Sequence, residues 1–169
     1  MLKLQRIVIG VAAGVLGSAF FGTYAVDARG QSDSAAKPET VESRTITVRI
    51  DRPFDTVFDF LANPANWNQW AFGLGKNIRQ SNDGWIADSD GGIARIRFTL
   101  RNNFGVVDHT VIRSSGQRVY VPMRLIVNGS GCELLFTLFR EPKMSDTQFD
   151  SDAGFVQRDL DRLKRLMEK

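Results

Sequence analysis

The sequence predicts a single α+β domain in which a curved antiparallel sheet of about seven strands wraps a long C-terminal helix, with two short helices after the first strand. Three observations predict it. Alternating apolar and polar runs, separated by turn residues, follow one another from Asn77 to Phe139. The last segment changes to a helical stripe with apolar residues three and four apart. With 169 residues, 43% of them hydrophobic and 24% charged, the chain has enough apolar material for one core and too little length for two ordinary domains beyond its N-terminal segment.

The elements follow in order. Lys3 and Arg6 precede an uncharged run from Ile7 to Val26, the charge and hydropathy pattern of an export signal. Val26-Asp27-Ala28 offers a peptidase site after Ala28, so residues 1–28 are expected to be a cleaved signal peptide. At about 20 residues the run also has the length of a single-helix membrane anchor, which is the alternative. Either way the positive residues stay inside, and the folded domain is expected in the periplasm or cell envelope. No cysteine near the end of the run offers a lipoprotein anchor. Residues 29–44, rich in Gly, Ser, Pro and charge, read as a flexible linker, and the folded domain is expected to span residues 45–169.

In Thr45-Ile-Thr-Val-Arg-Ile50, Ile46, Val48 and Ile50 share one face, as in a half-buried strand. The period then switches. Asp51 is a candidate cap, Pro53 suits a first helical turn, and Val57, Phe58 and Leu61 recur at helical spacing until Asn63-Pro64. A second short helix or turn carries Trp67 and Trp70. In the strands that follow, Ile96, Phe98 and Leu100 oppose Arg95, Arg97, Thr99 and Arg101. Val119, Val121, Met123, Leu125 and Val127 share a face, as do Cys132, Leu134, Phe136 and Leu138. One side of the sheet is therefore apolar and needs a cover. The cover is the final helix, capped at Ser145 or Asp146, with Phe149, Ala153, Val156, Leu160, Leu163 and Met167 along one stripe.

This order resembles the helix-grip fold of the START-related, or SRPBCC, superfamily. The matching residues are Ile46 to Trp70, "ITVRIDRPFDTVFDFLANPANWNQW", together with "DHTVI" at Asp108, the segment from Val119 to Asp146, and "DLDRLKRLME" at Asp159. The latter segments are similar to a bacterial subgroup of polyketide cyclase/dehydrase-like proteins. The resemblance covers Thr45 to Lys169. It implies a long cavity between sheet and final helix that holds an apolar or amphipathic small molecule, and it carries no shared catalytic motif. Its candidate lining here is Trp67, Trp70, Phe98, Asp108, Met123, Phe136, Val156 and Leu160.

Asp108 and His109 are adjacent, so on a strand they point to opposite faces and do not form a catalytic dyad. Phe104, Val106 and Ile112 share a face with Asp108, while His109 shares one with Arg113; on that count Asp108 faces the cavity and His109 the outside. A carboxylate there is expected to be paired with an arginine or backbone amides. The alternative is a general acid/base of a cyclase- or dehydratase-like enzyme. Arg49, Arg95, Arg97, Arg101 and Arg124 form an outward basic set, a solvated face or, alternatively, one attracted to an anionic membrane surface or an envelope protein.

Other chemistries are set aside. The single Cys132 and single His109 leave no disulfide, no structural zinc site and no Ser-His-Asp set, and no cofactor is expected. The glycine clusters sit in hairpin turns and lack the strand-to-helix context of a phosphate loop. A net charge of +3 is too mild for a nucleic-acid-binding domain. The expected function is an exported binder or carrier of a lipid-like small molecule, non-catalytic rather than enzymatic, with oligomeric state left open.

Overall fold

The computed structural model describes residues 39–74, 76–89 and 91–169; the proposed signal or anchor and most of the linker lie outside them. Strand β1 (Ser43–Ile50) leads into helix α1 (Phe54–Ala62) and a 3-10 helix (Pro64–Gln69). Seven further strands follow: β2 (Lys76–Ser81), β3 (Gly84–Ser89), β4 (Gly92–Phe98), β5 (His109–Ile112), β6 (Arg118–Val121), β7 (Met123–Asn128) and β8 (Gly131–Phe139). Helix α2 (Asp146–Met167) closes the chain. Among the described residues no helix is long and apolar enough to cross a membrane.

All strand pairs are antiparallel, in a five-stranded array β2-β3-β4-β5-β6 and a three-stranded array β1-β8-β7. The two arrays meet at Pro122, which separates β6 from β7 and has no N–H to give to a ladder. Register runs through the break. His109 pairs with Val121 on one side, Val106 bridges Arg124 on the other, and the Val107 N–H donates to the Met123 carbonyl at 3.0 Å. On the far edge the Thr137 N–H donates to the Pro122 carbonyl at 3.0 Å. The seven expected strands are thus present as eight segments, because a proline interrupts the sixth.

The concave face carries the core. Ile50, Met123, Leu125, Cys132 and Leu134 from the sheet meet Val57, Phe58 and Leu61 of α1 and Leu160 and Leu163 of α2. Helix α2 starts in a reciprocal capping box between Ser145 and Gln148. Its other end is tied to the β1–α1 junction, where the Asp51 N–H donates to Glu168 at 2.7 Å and the Arg52 Nε donates to the Met167 carbonyl at 2.8 Å. Asp51 does not cap α1; the N-cap is Pro53, with no side-chain hydrogen bond. Leu100, expected to continue the inward row of Ile96 and Phe98, lies past the end of β4 and is 86% exposed. Val127, at the far end of β7, is exposed as well.

Gly105 fixes the approach to β5. It has φ +67°, and a Cβ there would lie 2.0 Å from the Leu125 carbonyl oxygen. Gly116, in the β5–β6 turn at φ +85°, has open space around it. Gly105→Ala is therefore expected to cost on the order of 2–4 kcal/mol in equilibrium unfolding, and Gly116→Ala only about 1 kcal/mol. Equal losses would contradict a backbone contact at Gly105.

Candidate functional site

A cavity of about 160 Å³ lies between the concave face of the sheet and α2. Its sheet side is built by alternation. His109, Val111 and Arg113 of β5 and its following turn point inward, beside Val119 and Val121 of β6 and Phe136 and Leu138 of β8. Phe155, Val156 and Leu160 of α2 form the opposite wall, and the segment from Trp67 to Leu74 closes a third side.

Trp67 is the hub of that third side. Its ring lies 4.8 Å from Trp70, 4.9 Å from His109 and 4.9 Å from Phe98, the last two edge to face. Its own Nε1–H donates to the Leu61 carbonyl at 2.8 Å, so Trp67 is satisfied from within the fold. The Trp70–Leu74 turn is fastened to α2. Asp159 accepts from the Gly73 N–H at 2.6 Å, and Arg162 donates to the Trp70 carbonyl and to Asp159 while its guanidinium lies 4.0 Å from the Phe72 ring centroid.

His109 is buried, and burial pulls its pKa down to about 4, with the Val107 carbonyl pulling the other way. The ring is neutral at pH 7. Asp152 and Asp159, on the cavity side of α2, both have pKa values raised by burial. Glu141 raises Asp152 further, and Arg113 opposes the shift. Asp159 is held back by the Gly73 and Phe72 amides and by Arg162. The Arg113 charge is paired, bidentate on Glu141 at 2.8 and 2.5 Å and bonded to Gln117 at 2.6 Å, while its buried Nε has no partner among the described residues.

Asp108 points the other way, which corrects the expected parity of β5. Its carboxylate sits on the convex side, taking the Tyr120 hydroxyl at 2.5 Å, the Met123 N–H at 2.8 Å and the Arg124 guanidinium. The misassignment has a physical cause. Phe104 lies beyond the positive-φ Gly105 and is 82% exposed, so its hydrophobicity does not report the strand's inner face. Val107, which does, is buried. A cavity acid/base role for Asp108 has no geometric basis.

Of the other expected lining residues, Trp67, Trp70, Phe136, Val156 and Leu160 border the cavity. Met123 is fully buried in the core away from it, and Phe98 with Asp108 borders only a crevice of about 10 Å³, room for one water. Sequence reasoning missed His109, Arg113, Asp152, Phe155 and Asp159. The three on α2 were legible as the i, i+3, i+7 row running beside the apolar stripe. Within the outward arginine set, Arg49, Arg101 and Arg124 face Glu133, Asp59 and Asp108, and Arg95 and Arg97 are exposed.

No family model and no curated protein matches the sequence. Solved structures do match in shape. The Aha1 dimer structure from Colwellia psychrerythraea is 14% identical, covering 75% of this chain and 96% of that one with a TM-score of 0.57. The protein MLL2253 from Mesorhizobium loti is 15% identical, covering 74% and 96% with a TM-score of 0.55. CalU16 from Micromonospora echinospora is 20% identical, covering 73% of each chain with a TM-score of 0.52. At these identities the likeness is one of fold.

Acid stability reads out the burial of His109. The unfolded ring titrates near 6.5 and the folded ring near 4, so between those values the unfolded state binds more protons. Stability is present above pH 6.5 and falls as pH drops through 4, by about 3 kcal/mol at the limit. Asp152 and Asp159, with raised values, act with the opposite sign, so the wild-type chain must be compared with a variant. Chemical denaturation at pH 7 and pH 4 is expected to show a smaller acid loss for His109→Phe than for the wild type; identical losses would contradict a buried neutral imidazole.

Proposed function

From a helix-grip fold of the SRPBCC type, with its interior open between sheet and C-terminal helix, we propose that this protein binds a small, largely apolar molecule in that cavity. The observation that carries the reading is a convergence: aromatic and aliphatic side chains from β5, β6, β8, α2 and the Trp67–Leu74 segment meet around one half-open space of about 160 Å³. A dry apolar cavity of roughly 150 Å³ holds a benzene-sized molecule, so the size favours a compact ligand of one or two rings. The positive-then-apolar pattern of residues 3–26 supports a carrier acting outside the cytoplasm.

The energetics suit a binder that needs no covalent chemistry. Burying seven carbons contributes on the order of 5 kcal/mol, from which association costs subtract. Dissociation constants for a toluene-sized probe therefore fall in the upper micromolar to millimolar range. Toluene titrated into the domain is expected to shift NMR resonances of Val111, Val119, Phe136 and Val156, and Val156→Trp, which fills the cavity from α2, is expected to abolish the shifts with the fold retained. Saturating toluene without any shift at these residues would sink the reading.

A further inference from the structure

The outer face of the five-stranded array carries a regular pattern that neither the core nor the cavity uses. Ile78, Ala87, Ala94 and Ile96 are buried on the inner face, and Val111 and Val119 line the cavity, so alternation turns Arg79, Ile86, Arg95, Ile112 and Arg118 outward. These five are ladder partners in turn: Arg79 with Ile86, Ile86 with Arg95, Arg95 with Ile112, and Ile112 with Arg118. One row across all five strands therefore reads Arg-Ile-Arg-Ile-Arg, its arginines about 10 Å apart at the ordinary strand spacing. The next row adds Arg97, Thr110 and Tyr120, with Arg97 about 7 Å from Arg95 along β4.

Arg79 is paired with Asp88, but Arg95, Arg97 and Arg118 are exposed and make no ion pair or side-chain hydrogen bond among the described residues. Like charges held this close repel one another, and an anionic partner relieves that repulsion. Ile93 and Tyr120, beside them, are 54% and 49% exposed. We propose that this face docks on the surface of an anionic phospholipid bilayer, with the arginines on phosphates and Ile93 and Tyr120 at the headgroup level. A guanidinium pairs with phosphate through two donors, and a grid of guanidinium groups suits a plane of headgroups. Tyrosine rings concentrate at membrane–water interfaces. Nucleic acid fits less well, since the convex face offers no groove to track a backbone and Tyr120 alone is no stacking platform. The chain outside the described residues adds a second argument. Residues 27–42 join β1 to the uncharged run Ile7–Val26 and reach at most about 55 Å fully extended, so a bilayer that holds this run keeps the arginine face within that reach. The docking is independent of what the cavity contains.

The test places the full chain, with labelled isoleucine methyls, in nanodiscs whose lipids include a headgroup-linked gadolinium chelate. Discs of phosphatidylcholine are compared with discs that also hold phosphatidylglycerol. In the phosphatidylglycerol discs the methyl signals of Ile86, Ile93 and Ile112 are expected to broaden more than those of Ile46 and Ile50, which point to the core side of β1. The excess should vanish in high salt, which screens exposed charge. Each arginine near an anionic surface is worth about fivefold in partitioning, so a chain carrying Arg95→Gln, Arg97→Gln and Arg118→Gln should lose about a hundredfold and show no excess. Should that variant fail to fold, the lipid and salt comparisons on the wild-type chain still decide. Equal broadening of all five isoleucines, the same excess in phosphatidylcholine alone, or no broadening at all overturns the proposal. Tighter binding of this face to polyglutamate or to a DNA duplex than to the phosphatidylglycerol discs overturns it in favour of an acidic protein or a nucleic acid.

Discussion

The structure depends on how the chain crosses Pro122. A proline in a central strand removes one ladder hydrogen bond, and a sheet of this curvature would be expected to part there. It is held together by backbone bonds on either side of the proline and by a side chain. Register places Asp108 opposite Pro122, and its carboxylate takes the N–H of the next residue, Met123, along with the Tyr120 hydroxyl and Arg124. One acid thus adds a side-chain tie between the five-stranded and three-stranded arrays beside the backbone bonds from Val107 to Met123 and from Leu125 to Gly105. Its charge is answered from three directions, which is the condition for keeping a carboxylate 8% exposed.

The clasp has a consequence on the other face. With Asp108 committed to the convex side, alternation turns Val107, His109, Val111 and Arg113 toward α2. The imidazole then lies against Trp67 and Phe98, loses its hydration and stays neutral. Fastening of the Trp70–Leu74 turn by Asp159 and Arg162 holds the third side in place. The cavity's largely apolar lining on β5 follows from the strand parity that the clasp sets.

Much of this fold was legible in the sequence. The alternation of Cys132, Leu134 and Phe136, the switch of period after Ile50, and the stripe of α2 with its Ser145 cap each report a local rule that tertiary structure left intact. The parity of β5 was not legible in the same way. Its flanks compete, since Val106 and Ile112 favour one face and Val107 and Val111 the other, and the deciding residue, Gly105, acts through a positive φ that hydrophobicity does not encode. The cavity residues were hidden for a different reason. Arg113 and Asp159 read as solvent-facing charges and become cavity-lining because Glu141 and the Gly73 amide answer them from distant positions in the chain, with Arg162 one turn along α2 also on Asp159. Pairing of that kind is a property of the packed molecule.

The most direct test of this account is the equilibrium unfolding of Asp108→Asn and Asp108→Ala, read together with the chemical shifts of the His109 ring. A clasp predicts a loss of about 2–4 kcal/mol for Asp108→Ala, a smaller loss for Asp108→Asn, which still offers an oxygen to the Met123 N–H, and His109 still facing α2 in whatever fraction folds. Stability within about 0.5 kcal/mol of wild type for both variants would contradict it.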